Sequence, residues 1–96
     1  EIRESDIPVE PQVRGACEIL GLDPLYVANE GRMIVILPES EAKSALEILS
    51  GFQETANSRA IGAIDAGLSG QLVLKSTLGT HRVVNMLPGE QLPRIC

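Results

Sequence analysis

Apolar positions recur at helical spacing in two places along the chain. Val13, Ala16, Cys17 and Leu20 fall at i, i+3, i+4 and i+7, the stripe of an amphipathic helix. Pro11 suits a first helical turn, while Gly21 and then Asp23-Pro24 stop the helix, so the spacing predicts a helix over residues 11–20. Ala42, Ala45, Leu46 and Leu49 repeat the pattern. Glu39 and Glu41 stand at the positive end of this second helix and Gly51 closes it. Between the helices, Met33-Ile34-Val35-Ile36-Leu37 is a continuous apolar run bounded by Arg32 and Pro38, the pattern of a strand buried on both faces. Leu25 to Glu30 reads as a short strand or extended segment that reaches a turn at Gly31. Residues 51–59 are polar and read as a loop. Ala60 to Ala66 reads as a strand with Gly62 inside it, a bulge or a close backbone approach, followed by a turn over Gly67-Leu68-Ser69-Gly70. Leu72-Val73-Leu74-Lys75 and Arg82-Val83-Val84-Asn85-Met86 read as a hairpin across Leu78-Gly79-Thr80. Residues 1–10 read as an extended lead-in, and residues 87–96, with Pro88, Gly89 and Pro93, show no periodicity and read as a tail. The order helix, strand, helix, three strands predicts an α/β (α+β) fold, a mixed β-sheet with two helices packed on it that bury both stripes. The expected division is a domain over residues 1–87 and a flexible tail over 88–96.

The 96 residues suffice for one small domain, and 44% hydrophobic residues suffice for it to fold. With 8 basic against 13 acidic side chains the net charge is −5, which argues against nucleic acid as a partner because phosphates demand a basic patch. Only one Tyr and one Phe are present, so base stacking is not available and the core must be aliphatic. No apolar run approaches the length of a membrane-spanning helix and no signal peptide is visible, so no membrane partner and a cytoplasmic location are expected. The start at Glu1 without Met leads to the expectation of a piece of a longer protein. Two cysteines make no disulfide framework, and two Cys with one His are too few for an ordinary structural zinc site, so no metal site is expected.

Cys96 carries the most chemical information. It follows Pro93, Arg94 and Ile95 at the end of the sequence. A thiolate is the reactive form of cysteine, and access matters as much as acidity. A neighbouring α-carboxylate disfavours the thiolate, and Arg94 offsets that effect. The ten residues from Leu87 reach about 33–36 Å when extended, enough to carry a bound group between sites. An arbitrary chain end is the competing reading, and chemistry alone leaves both open. Cys17, on the helical stripe, reads as a buried inert thiol. His81 reads as a strand-surface histidine. Glu30, in Asn29-Glu30-Gly31 at a turn, is a candidate general base if it reaches a substrate; a solvated turn carboxylate is the alternative. Glu39, Glu41 and Glu47 read as a solvated helix face. A phosphate-binding Gly-x-x-x-x-Gly-Lys-Ser/Thr loop is absent from the sequence.

Leu22-Asp23-Pro24-Leu25-Tyr26-Val27-Ala28-Asn29-Glu30-Gly31-Arg32 resembles a hallmark segment of the hydrogenase expression/formation protein HypE family. So do Gly79-Thr80-His81-Arg82-Val83-Val84 and the ending Gly89-Glu90-Gln91-Leu92-Pro93-Arg94-Ile95-Cys96, whose Pro-Arg-Ile-Cys is highly specific to that family. The resemblance covers nearly the whole chain and corresponds to the C-terminal part of a protein about three times longer. It implies part of the C-terminal domain shared by the aminoimidazole ribonucleotide synthetase and selenophosphate synthetase group, a mixed sheet covered by helices, with exposed apolar surface where the remainder is missing.

The resemblance also implies a step in nickel–iron hydrogenase maturation. A carbamoyltransferase, HypF, places a carboxamide on Cys96. The whole protein then uses ATP with magnesium to dehydrate it to a thiocyanate, and the cyano group passes to iron on a HypC–HypD scaffold. By resemblance Glu30 is the candidate base, with Asn29 as its orienting neighbour; Pro93, Arg94 and Ile95 are read, as an inference beyond the resemblance, as positioning the tail. The ATP site is expected mostly outside this chain, with nothing bound to the chain alone, and the whole protein is expected as a homodimer. The alternative is a non-catalytic structural or docking domain of a related ATP-dependent synthetase.

Overall fold

The computed structural model describes residues 1–67 and 69–86. Five regular elements follow one another: β1 (Ile2–Arg3), α1 (Pro11–Leu20), α2 (Glu39–Ser50), β2 (Val73–Lys75) and β3 (His81–Val83), with single 3-10 turns at Glu4–Asp6, Pro24–Tyr26 and Gln53–Thr55. The architecture is a mixed three-stranded sheet with two helices, as the alternation of patterns predicts. The chain divides into two compact units.

The first unit comprises Glu1–Pro8 and Ile36–Asn85. It holds the sheet, in the order β1-β2-β3. β1 runs parallel to β2, with Ile2 opposite Leu74 and Arg3 opposite Lys75. β2 and β3 are antiparallel, pairing Val73 with Val83, Leu74 with Arg82 and Lys75 with His81. The hairpin turn is closed by Ser76 N–H donating to the Thr80 carbonyl at 2.7 Å and Gly79 N–H to the Ser76 carbonyl at 2.9 Å. The pairing is therefore in place three residues either side of that turn, with His81 drawn into β3, one residue earlier than the apolar pattern places it. Leu74, in the middle strand, is only 1% exposed. A β-branched and aliphatic sequence on a central strand satisfies its backbone on both sides and packs its side chain at the same time.

Residues 1–10 are more than a lead-in, because Ile2–Arg3 joins the sheet. The expected strand over Ala60 to Ala66 is reduced to a bridge between Gly62 and Ile2, supported by Arg3 N–H donating to the Ile61 carbonyl at 2.7 Å and Ala63 N–H to the Glu1 carbonyl at 2.9 Å. The reason Gly62 stands there is steric: a Cβ at that position would collide with the backbone of Glu1 and Ile2. The close-approach reading of this glycine holds, and the pairing is as short as β1 itself.

Helix α2 belongs to the same unit. Its stripe residues Ala42, Ala45, Leu46 and Leu49 are half-buried while the intervening positions are exposed, as the spacing requires. Glu39 and Glu41 occupy its first turn, where carboxylates favour the helix dipole. Beyond Gly51, Thr55 Oγ1 donates to the Leu49 carbonyl at 2.7 Å, satisfying a C-terminal carbonyl and folding residues 53–55 into a 3-10 turn rather than a plain loop.

The second unit is built on Val9–Val35. Helix α1 starts on Pro11 and ends at Gly21, with Leu22 N–H donating to the Cys17 carbonyl at 2.8 Å. Of its stripe only Cys17 is buried, at 5% exposure; Val13 and Leu20 face solvent. The expectation that both stripes would be covered is corrected for α1, which within its unit packs against the turn at Pro24–Tyr26. The short strand expected over Leu25 to Glu30 is instead that 3-10 turn followed by irregular chain. Met33–Leu37, expected as a strand buried on both faces, forms no strand, and Met33 and Ile34 are 82% and 78% exposed. An apolar run becomes a strand only where a neighbour takes its N–H and C=O groups, and no described residue does so here.

Candidate functional site

Glu30 is placed by a chain of local devices. After α1 closes at Gly21, the Asp23 carboxylate accepts from Leu25 N–H at 2.9 Å, an N-cap contact that starts the Pro24–Tyr26 turn, and Tyr26 N–H donates to the Asp23 carbonyl at 2.9 Å. Val27 then leads out in extended conformation. Residues 28–30 carry Asn29 and Glu30 on the surface, both exposed. Gly31 turns the chain at φ 75°, a left-handed backbone that side-chain-bearing residues rarely adopt. The carboxylate of Glu30 is thus presented to solvent from a loop whose two ends are fixed, one by a capped turn and one by a glycine. An exposed carboxylate on such a loop can accept a proton from a group brought to it.

Cys96, Pro93, Arg94 and Ile95 lie outside the described residues. Cys17 is the buried thiol its helical position predicts. His81 lies on exposed β3, its Nε2 3.4 Å from a Glu1 carboxylate oxygen, which bears out the reading of a strand-surface histidine. Among the described residues no group of three or more His, Cys, Asp or Glu side chains could hold a metal ion, and no helix among them is long and apolar enough to cross a membrane.

Sequence reasoning passed over one feature. The strand register places Arg3, Lys75 and His81 side by side across β1, β2 and β3, a row of basic side chains on one face. The signal was present in Arg3 and Lys75, but it needed β1 to be recognised as a strand.

Comparison with known proteins places these features in a family. The AIR synthase related protein, C-terminal domain, matches residues 1–75. The carbamoyl dehydratase HypE of Rhodobacter capsulatus is 50% identical over 95 residues, 99% of this chain and 28% of that protein. A crystal structure of the hydrogenase maturation protein HypE superposes with a TM-score of 0.88 at 46% identity, covering 99% of this chain and 32% of that one. A HypE structure in complex with ATP gives 0.86 at 44% identity, covering 99% and 30%. The structure of a HypE–HypF complex gives 0.79 at 33% identity, covering 88% and 27%. The chain therefore spans somewhat more than a quarter of the length of these relatives. It belongs to the AIR synthase related protein, C-terminal domain family, and within that family it is similar to HypE.

Proposed function

We propose that this chain is the acceptor-bearing portion of a carbamoyl dehydratase of nickel–iron hydrogenase maturation. The observation that carries the reading is the 50% identity, along 99% of the chain, to a protein named carbamoyl dehydratase HypE. The Pro93-Arg94-Ile95-Cys96 ending supports it.

In this reading residues 1–87 form the folded domain and residues 88–96 the arm. The Cys96 thiolate attacks the carbonyl carbon of a carbamoyl donor, forming the S–C bond as the donor's leaving group departs. Dehydration then removes the oxygen and both amide protons, in net the elements of water, converting S–C(O)NH2 to S–C≡N; with ATP the oxygen would leave as inorganic phosphate as ADP forms, and the amide protons pass to base and solvent. Glu30 takes a proton from the amide nitrogen, with Asn29 orienting the group, and Arg94 and Ile95 steer the cysteine while Pro93 stiffens its approach. The activating ATP, with magnesium, binds the whole protein. The described residues offer no metal-ligand cluster for it, and its site lies mostly beyond this chain. A HypE structure holds ATP and another is a complex with HypF; by extension the partners here are a HypF-type carbamoyltransferase, a HypC–HypD iron scaffold and a second copy of the whole protein, in the cytoplasm.

The test is mass spectrometry of the chain after incubation with the carbamoyltransferase, carbamoyl phosphate and ATP. A carboxamide adduct on Cys96, absent in Cys96→Ala, is the expected result. In the whole protein, Glu30→Gln should still be carbamoylated while thiocyanate formation slows by about 10²–10⁴-fold, the usual contribution of a positioned base. An unchanged adduct yield in Cys96→Ala would leave a docking domain as the better reading, and normal thiocyanate formation in Glu30→Gln would remove Glu30 as the base.

A further inference from the structure

The basic row on the sheet carries an inference independent of the carbamoyl chemistry. Like charges placed directly opposite on neighbouring strands repel and weaken a sheet, yet Arg3 faces Lys75 and Lys75 faces His81. The two outer members have carboxylates: Arg3 Nε donates to Asp6, and His81 stands beside Glu1. Lys75, between them, has no partner among the described residues.

Beside Lys75 the surface forms a depression of about 180 Å³ lined by Arg3, Ser5, Lys75, Ser76, Thr77 and Gly79. Its chemistry is one-sided. Arg3 has five N–H donors, of which Nε serves Asp6 and one Nη2 hydrogen reaches the Ala60 carbonyl at 3.2 Å. The remainder are available. The hydroxyls of Ser5 and Thr77 have no partner among the described residues, whereas Ser76 Oγ is shared with Thr80 Oγ1 at 2.7 Å. Two carboxylates stand beside the hollow without lining it: Asp6 is paired with Arg3, and Glu4 is turned to the Thr77 amide, whose N–H donates to Glu4 Oε2 at 3.1 Å.

We propose that this depression binds a small tetrahedral oxyanion of the phosphate class, with the Lys75 ammonium and the Arg3 guanidinium supplying charge and the Ser5 and Thr77 hydroxyls supplying neutral donors. Charge-assisted hydrogen bonds of this type are about twice as strong as neutral ones, and an anion there relieves the repulsion along the row. The space is smaller than the roughly 300–1,000 Å³ typical of pockets that enclose drug-sized ligands, and suits a single phosphoryl group.

The experiment is a titration of the isotopically labelled chain with inorganic phosphate at constant ionic strength, read from amide shifts. Saturable shifts confined to residues around Ser5, Ser76, Thr77 and Gly79 are expected. Lys75→Gln should weaken binding about tenfold, the loss of one charge-assisted contact, and Lys75→Arg should retain it. Lys43→Gln, the same change of charge on α2, should leave affinity within about twofold. Glu4→Gln should tighten binding by removing the carboxylate charge held at the Thr77 amide. Methyl phosphate binding as well as phosphate would identify the end of an ester as ligand, and binding of phosphate alone would identify the free ion. Shifts that spread over the whole chain without saturating, or equal losses in the Lys75 and Lys43 variants, would overturn the site. Since Lys75 is exposed, these substitutions leave the packing around Leu74 in place, and none touches Cys96 or Glu30.

Discussion

Among the described residues Leu74 and Cys17 are the buried apolar side chains, one in each unit, and they are held in different ways. Leu74 lies on the middle strand, opposite Ile2 from the far end of the sequence on one side and Arg82 from just across the hairpin on the other. Cys17 is buried within a helix whose closing contact, Leu22 N–H to the Cys17 carbonyl, spans five residues. Joining β1 to the sheet thus depends on closing a long loop between residues 3 and 73, whereas β2 and β3 pair across a short turn and α1 closes on its own neighbours along the chain. The loop that carries Glu30 follows α1 in the second unit.

Leu74→Ala tests the long-range side of that contrast and carries the largest effect. Removing a buried leucine costs about 2–5 kcal/mol, a large share of the roughly 5–15 kcal/mol that holds a typical domain together. The expected outcome in urea denaturation is loss of the cooperative sheet transition. A drop no larger than that of an exposed apolar site such as Ile19→Ala would mean that Leu74 does not organise the unit.

Gly62→Ala is the next largest. The added methyl meets the Glu1 and Ile2 backbone, which must shift, at a cost of about 1–3 kcal/mol of the overpacking type. Hydrogen exchange should accelerate at Arg3 and Ala63, the two amides that bond across this contact, while the β2–β3 hairpin amides, such as Ser76, stay protected. Acceleration throughout the sheet would show that β1 and the hairpin open as one piece.

The same contrast explains what was legible in the sequence. Helices α1 and α2 could be read because their signals are local: apolar spacing, Pro11 at the start of one and a glycine just past the end of each. The hairpin could be read because Gly79 and the flanking apolar residues lie within a dozen positions. β1 could not, since two residues, Ile2 and Arg3, carry no periodicity and gain their state only from Leu74 and Lys75 seventy-odd positions away. Met33 to Leu37 failed in the reverse direction: a strong strand pattern met no described partner for its backbone. At the site, Glu30 could be singled out from its turn context and from resemblance, and the structure adds the Asp23 cap and the Gly31 backbone that fix the loop. The Arg3–Lys75 row was invisible because it depends on register, which no single segment encodes.

Cys17→Ala sharpens the local side of the comparison and has the smallest expected effect. It deletes one buried heavy atom from a helix whose backbone bonds remain, and alanine is the better helix former. A single-atom deletion in a core costs about 0.5–1.5 kcal/mol, partly offset by that propensity, so the midpoint of denaturation should fall slightly with unchanged slope. Thiol titration separates this residue from Cys96, the proposed acceptor. A side chain 5% exposed reacts only as its surroundings open, so the fast-reacting thiol of the native chain should persist in Cys17→Ala and vanish in Cys96→Ala. If the fast thiol is lost with Cys17 instead, the locally built unit opens readily, and the equivalence of the two cores in burial does not extend to their stability.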